Sequence, residues 1–118
     1  MRRRLDVANA RAAWWALLAL ARARRSLRRN GIRNIRVPPP PPLPDSASPG
    51  VVAVLRRLPH TCLERALVLQ RWHASHGAPL DVVIGVTAPR GEFRAHAWLE
   101  GEQFDGPDFQ EITRIPAA

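Results

Sequence analysis

Length, composition and charge limit this chain to one small domain with an attached arm. It has 118 residues, 46% of them hydrophobic, and a net charge of +8 that comes from arginine, since there is no lysine. The single cysteine excludes an intrachain disulfide framework, so we expect a reducing compartment and a cytoplasmic protein. The charge is uneven: residues 1–44 hold 11 arginines and one acidic residue, whereas residues 45–118 hold seven arginines and nine acidic residues.

A basic amphipathic helix is predicted at the front of the chain, over residues 5–29, with Asn30 and Gly31 as its stop. Its apolar residues recur at spacings of three and four: Leu5, Ala8, Ala12, Trp15 and Leu18, broadened by Trp14, Leu17 and Ala21. Such a helix is typical of a solvated arm, or of a segment that meets an anionic membrane surface, an acidic polypeptide or nucleic acid. We expect no nucleic-acid binding, because basic residues are not interleaved with the aromatic residues of the predicted strands.

The same stretch has some features of a secretory signal peptide. Ten apolar residues, 12–21, follow three arginines, and Ala19 to Ala21 could serve as a cleavage site. Asp6 and Arg11 interrupt the leading region, and arginines crowd its far end, so we favour a retained helix. The run is also shorter than the roughly 18 residues that a membrane-spanning helix needs.

Five consecutive prolines, 38–42, predict a polyproline II segment without internal hydrogen bonds. A stiff linker is the simpler interpretation, and a ligand for an SH3-like domain is the alternative. The sequence thus predicts a basic helical arm over 1–36, a proline-rich linker over 37–50 and a domain over 51–118.

The centre of that domain is a predicted helix that begins at the only cysteine. Thr61 and Glu64 have the spacing of a capping box, which makes Cys62 the first helical residue, and the helix should run to His76 and stop at Gly77. A sulfur at this position lies at the positive end of the helix dipole, which favours the nucleophilic thiolate. The alternative is that Cys62 is a small buried hydrophobic residue.

After residue 79 the pattern of apolar residues changes from that of a helix to that of strands. Residues 80–86 and 93–99 read as strands, Glu100 and Gly101 as a hairpin loop, 102–105 as a third strand and 109–115 as an edge strand or turn. In this register His96 lies opposite Asp105, whose carboxylate could orient the imidazole; Asp108 is the fallback. Cys62, His96 and Asp105 would then be nucleophile, base and orienting acid.

Metal binding is the competing interpretation of these residue types. Cys62, His73, His76 and His96 are possible zinc ligands, but they lack the paired spacing of a structural zinc site. We therefore expect neither a metal nor another cofactor.

Three segments together resemble a known family. The pattern C-L-x-R-A-L from Cys62, I-G-V from Ile84 and A-H-A-W-L-E from Ala95 is similar to the transglutaminase-like cysteine proteases of lasso-peptide biosynthesis, in particular the leader-peptidase half of the split B protein. The resemblance covers about residues 51–112. It implies an α+β, papain-like core, with a central helix that carries the cysteine and packs on a small antiparallel sheet, behind the basic helix.

The resemblance also implies a function. Cys62 matches the nucleophile, His96 the general base and Asp105 the third member, although Asp108 lies close by. The expected reaction is removal of the leader from a ribosomal precursor, with a separate leader-recognition protein and a macrolactam synthetase as partners. The alternatives are a non-catalytic adaptor of the same fold and a true transglutaminase or amide transferase with the same triad.

Overall fold

The computed structural model describes residues 6–88, 91–102 and 108–117. The elements are the helices α1 (Val7–Asn30), α2 (Ser48–Arg57) and α3 (Cys62–Ala74), a 3-10 turn (Asp45–Ala47), and the strands β1 (Val82–Thr87), β2 (Arg94–Leu99) and β3 (Gln110–Ile115). They form two compact units, Met1–His60 with the first two helices and Thr61–Ala118 with α3 and the sheet. The predicted α+β fold class is confirmed.

The predicted basic helix is confirmed as α1. It begins two residues later and ends one residue later than expected. The Asp6 carboxylate accepts the Ala8 N–H at 2.9 Å as the cap, and Gly31, with φ of 63°, donates its N–H to the Leu27 carbonyl. The positive φ explains why a glycine ends the helix.

The buried stripe of α1 is rotated from the predicted one. It consists of Ala12, Trp15, Ala16, Ala19, Leu20, Ala23 and Ser26. Trp14, Leu17 and Leu18 were expected on the packed face but are 71%, 39% and 40% exposed. The physical reason is close helix packing: a Cβ on Gly50 of α2 would lie 2.1 Å from the Asn9 carbonyl oxygen, so α2 meets the small residues of α1.

The proline segment lies against α1 instead of holding it away from the next helix. Trp15 Nε1 donates to the Pro38 carbonyl at 3.0 Å, and the Arg36 N–H donates to Ser26 Oγ at 3.0 Å. Helix α2 begins at Ser48, because Pro49 fits the first helical turn, where no N–H is needed. The last part of the predicted 37–50 linker is therefore helical.

Helix α3 forms the core of the second unit and packs mainly on β2. Its buried residues are Glu64, Ala66, Leu67, Val68, Gln70 and Trp72. It ends at Ala74, earlier than the predicted His76, because a turn over 75–77 closes the helix before Gly77, whose φ is 83°. The Gln70 amide donates to the carbonyls of Leu80 and Ile115, at 3.0 and 2.9 Å, and so ties α3 to the start of the β1 segment and the end of β3.

The sheet is antiparallel with the order β2-β1-β3. The first two predicted strands are confirmed with small end shifts, and the expected edge strand is β3. A turn at Glu100 and Gly101 is also present, with the Glu102 N–H donating to the Leu99 carbonyl. Glu102 is not in a strand, and the rest of the predicted third strand, 103–105, lies outside the described residues.

Within the described part of the chain, no helix is long and apolar enough to cross a membrane.

Candidate active site

Cys62 is the first residue of α3, as the capping-box pattern predicts. The Thr61 N–H donates to Glu64 Oε1 at 3.0 Å, and the Glu64 N–H donates to Thr61 Oγ1 at 3.1 Å. Glu64 is buried, which anchors the helix start, while Cys62 is half-buried and its thiol is free of a disulfide. The box thus sets the backbone at the cysteine without using its side chain.

The capping box also decides which amides remain at the helix start. It uses the N–H groups of Thr61 and Glu64, whereas those of Cys62 and Leu63 occupy the two helical positions between them. These amides point out of the helix N-terminus, where the dipole favours negative charge. The arrangement can stabilise an oxyanion at this position.

His96 lies in the middle of β2, opposite Gly85 of β1. Ala97 and Leu99 are buried on one side of the strand, so His96 and Trp98 lie on the other and are half-buried. The imidazole is 5.8 Å from the Trp98 ring, nearly parallel to it, and 5.4 Å from the Phe109 ring. Two aromatic rings therefore restrict its orientation.

Gly85 makes this aromatic cluster possible. A Cβ at this position would lie 2.9 Å from Trp98 Cη2, 3.0 Å from the Gln110 carbonyl oxygen and 3.1 Å from Phe109 Cβ. The register of β1 with β3 shifts next to Gly85, where the strand pairing is irregular. The missing side chain leaves room for the Trp98 ring and for the backbone and Cβ of the segment that carries Phe109.

The third predicted residue, Asp105, lies outside the described residues, so the proposed His96–Asp105 pair stays a prediction. The fallback, Asp108, is exposed and precedes Phe109, whose ring packs on His96. Asp108 is therefore the sequence neighbour of a residue whose ring packs on the imidazole.

An ion pair that the sequence analysis missed joins α3 to the end of β2. Arg65 binds Glu102 with two hydrogen bonds, of 3.2 and 2.9 Å, and Glu102 also accepts the Leu99 N–H at 2.9 Å. Arg65 lies within the motif that begins at Cys62, and Glu102 lies two residues after the motif that begins at Ala95. No local spacing pattern predicts a contact between residues that are 37 positions apart. This ion pair holds the first turns of α3 at the outer edge of β2, the edge that is not paired with β1.

The electrostatics of Glu102 connect this ion pair with His96. Burial by itself raises the pKa of Glu102, but the hydrogen bonds from Arg65 and Leu99 and the charges of Arg65 and His96 outweigh it, so the pKa lies below its ordinary value. The Arg65–Glu102 ion pair places the start of α3 beside the end of β2, the strand that carries His96. Cys62 and His96 thus belong to elements that pack on each other, but Ala97 and Leu99 occupy the buried side of β2 and His96 lies on the other side.

Metal ligation by Cys62, His73, His76 and His96 has no support in the geometry. In the described ranges, no three His, Cys, Asp or Glu side chains are grouped closely enough to hold a metal ion.

The comparison with family models agrees with this arrangement of helix and sheet. A model described as the transglutaminase-like superfamily matches residues 5–115. The chain belongs to the transglutaminase-like superfamily. No curated protein and no solved structure gives a significant match. The family match includes α1 and the proline segment, which the sequence motifs quoted above do not cover.

The transglutaminase-like superfamily includes cysteine peptidases. A capped helix with a cysteine at its start, packed on a strand with a histidine, is the part of this chain suited to such chemistry. The family assignment therefore agrees with a cysteine at the start of the central helix.

Proposed function

We propose that this protein is a cysteine peptidase that removes the leader from a lasso-peptide precursor. One observation carries the catalytic part: Cys62 begins a capped helix that packs on the strand of His96. The superfamily supports the peptidase class. The substrate class rests on the resemblance of the segments around Cys62, Ile84 and His96 to lasso leader peptidases.

The proposed reaction is acyl transfer to water in two steps. The Cys62 thiolate attacks the scissile carbonyl carbon, and protonated His96 gives its proton to the leaving amine as the C–N bond breaks. A water molecule then attacks the thioester, giving a proton to neutral His96, and the Cys62 thiolate leaves. The products are the leader with a free carboxylate and a core peptide with a new amine.

The backbone at the start of α3 supplies the proposed oxyanion donor. The Cys62 N–H is not used by the capping box and points out of the helix start. The charge that develops on the carbonyl oxygen during attack would be stabilised there by this amide and by the helix dipole.

Asp105 is the proposed orienting acid, with Asp108 as the alternative. A carboxylate that accepts an imidazole N–H fixes the tautomer, so that the other ring nitrogen can exchange a proton with the thiol and the leaving amine. Trp98 and Phe109 would support the same orientation by packing.

The proposed partners follow from the same reaction. A separate leader-recognition protein would hold the precursor at the site and raise its effective concentration, and a macrolactam synthetase would use the amine that cleavage releases. We place this reaction in the cytoplasm, where a lone thiol stays reduced.

The test is mass spectrometry of a lasso precursor incubated with this protein and its recognition protein. We expect a leader fragment from the parent and a loss of about 10³-fold or more in Cys62→Ala and in His96→Ala. His73→Ala, on the far part of α3, is the matched histidine control and should cleave like the parent.

Cleavage that persists in Cys62→Ala would contradict the proposed nucleophile. If the parent itself fails to cleave, even with the synthetase and ATP present, the non-catalytic adaptor becomes the better hypothesis. A cross-linked or amide-exchanged product in place of hydrolysis would indicate a transferase.

A further inference from the structure

The outward face of α1 carries large apolar side chains. Val7, Trp14 and Leu18 follow one another at spacings of seven and four, which places them on one stripe of the helix. They are 73%, 71% and 40% exposed. Single exposed apolar residues are ordinary, but three on one stripe are a feature of binding surfaces.

A groove of about 520 Å³ runs beside this stripe. Pro41 and Trp15 form part of its wall, and the Trp15 indole N–H donates to the Pro38 carbonyl. The proline segment thus turns the apolar stripe into a concave site that exists before any partner binds.

The same face becomes basic further along the helix. Arg22, Arg25 and Arg29 are exposed and continue the stripe at spacings of four, three and four after Leu18. Leu18 and Arg25 are seven residues apart, which is about 10 Å along a helix. The compact unit Met1–His60 holds 13 arginines and only two acidic residues, Asp6 and Asp45, so the unit that carries this face is strongly basic.

We propose that this face of α1 is a docking site for an acidic amphipathic peptide segment of a partner protein. One or two large apolar side chains of the segment enter the groove beside Trp14, and carboxylates about 10–15 Å further along meet Arg22, Arg25 and Arg29. Apolar burial supplies affinity, and the charges set the direction of the segment. This proposal does not depend on the peptidase activity.

Two other occupants fit the face less well. A helix that lies in a membrane surface has its apolar and basic residues along its whole length, whereas here they occupy successive halves of one stripe beside a concavity. A second copy of α1 would bring arginines against arginines in a parallel pair, or arginines against the apolar half in an antiparallel pair.

The experiment is fluorescence anisotropy with a fluorescein-labelled peptide of about 16 residues. The probe has Phe and Leu in its first two turns and four Glu in its last two, and the control peptide has the same composition in scrambled order. We expect the ordered probe to bind the full chain, and we expect a second probe with the reversed sequence to bind as well. Binding of both should weaken as the salt concentration rises.

Variants on the two halves of the face make the test specific. Trp14→Ala and Arg25→Glu should each weaken binding of the ordered probe by about tenfold. The matched controls on α2 are Val52→Ala and Arg56→Glu, since Val52 is 41% exposed and Arg56 is exposed as well, and both should bind like the parent. Circular dichroism verifies that every variant keeps its helix content.

Equal binding of the ordered and scrambled probes, or of Trp14→Ala and the parent, would overturn the proposal. It would also fail if anionic vesicles bound the parent more tightly than the peptide and lost that binding in Trp14→Ala, which would identify a membrane surface. A dimer in sedimentation that Trp14→Ala abolishes would identify a second copy as the occupant.

Discussion

Gly85 shows how one missing side chain positions a catalytic candidate in this molecule. It faces His96 across the β1–β2 pair, and a Cβ on it would crowd the Trp98 ring, the Gln110 carbonyl oxygen and Phe109 Cβ, next to the rings that pack on the imidazole. The sequence pattern I-G-V marks this glycine only as part of a strand. Its role depends on two aromatic residues from other segments.

Gly85→Ala should therefore disturb the surroundings of His96 and lower the free energy of unfolding by about 1–3 kcal/mol, because the new Cβ crowds Trp98 and the β3 backbone. Urea unfolding measures the change. Since Trp98 Cη2 is the nearest atom, the double variant Gly85→Ala/Trp98→Phe should be more stable than the sum of the single changes predicts. Strict additivity of the two changes would contradict this account of the glycine.

At the scale of the element, α3 is set at its first turn by Thr61 and Glu64 and at its flank by Arg65 and Glu102. The capping box is local and could be predicted from a four-residue pattern. The Arg65–Glu102 pair is not local: it forms because the turn at 100–101 brings Glu102 back to the edge of β2.

Thr61→Ala should lower the free energy of unfolding by about 1 kcal/mol, because the Glu64 N–H loses its side-chain acceptor at the helix start. Thr61→Ser keeps a hydroxyl at the cap and is the matched control, so it should stay close to the parent. Chemical denaturation of the three proteins measures the difference. Equal stability of Thr61→Ala and Thr61→Ser would show that the cap contributes nothing.

At the scale of the whole molecule, the two compact units carry opposite charge. Unit Met1–His60 has a formal charge of +11, from 13 arginines and two acidic residues, and unit Thr61–Ala118 has −3, from five arginines and eight acidic residues. The ion pairs of the second unit include those of Arg114 with Glu111 and Glu100. Carboxylates of the second unit therefore stabilise contacts within that unit.

Acid should destabilise the second unit before the first. The pKa of Glu102 is held below its ordinary value, against the effect of burial, by Arg65 and the Leu99 N–H, and the pKa of Glu111 is lowered by its hydrogen bonds with Arg114. A carboxyl group whose pKa is lowered by folding stabilises the folded state above its unfolded pKa of about 4.3, and this stability is lost as the pH falls through the folded pKa.

Hydrogen exchange measured in each unit between pH 7 and pH 3, corrected for the intrinsic pH dependence of exchange, tests this order. Protection in the sheet and α3 should fall below about pH 4, while that of α1 changes less, because the first unit has only two carboxyl groups. Glu102→Gln should weaken the second unit already at pH 7 and reduce its further loss in acid. Earlier loss of protection in α1 would contradict the prediction.

The sequence alone determined the features that depend on neighbouring residues: the length of α1, the capped start of α3 at Cys62, the turn at Glu100–Gly101 and the α+β class. Helix caps and hydrophobic periods act within a few residues, so a single sequence reveals them. Tertiary structure decided which face of α1 is buried, where the proline segment lies, and that Glu102 joins Arg65 at the end of β2. These features depend on the close approach of segments far apart in the chain, such as Asn9 to Gly50, and local patterns contain no record of such distances.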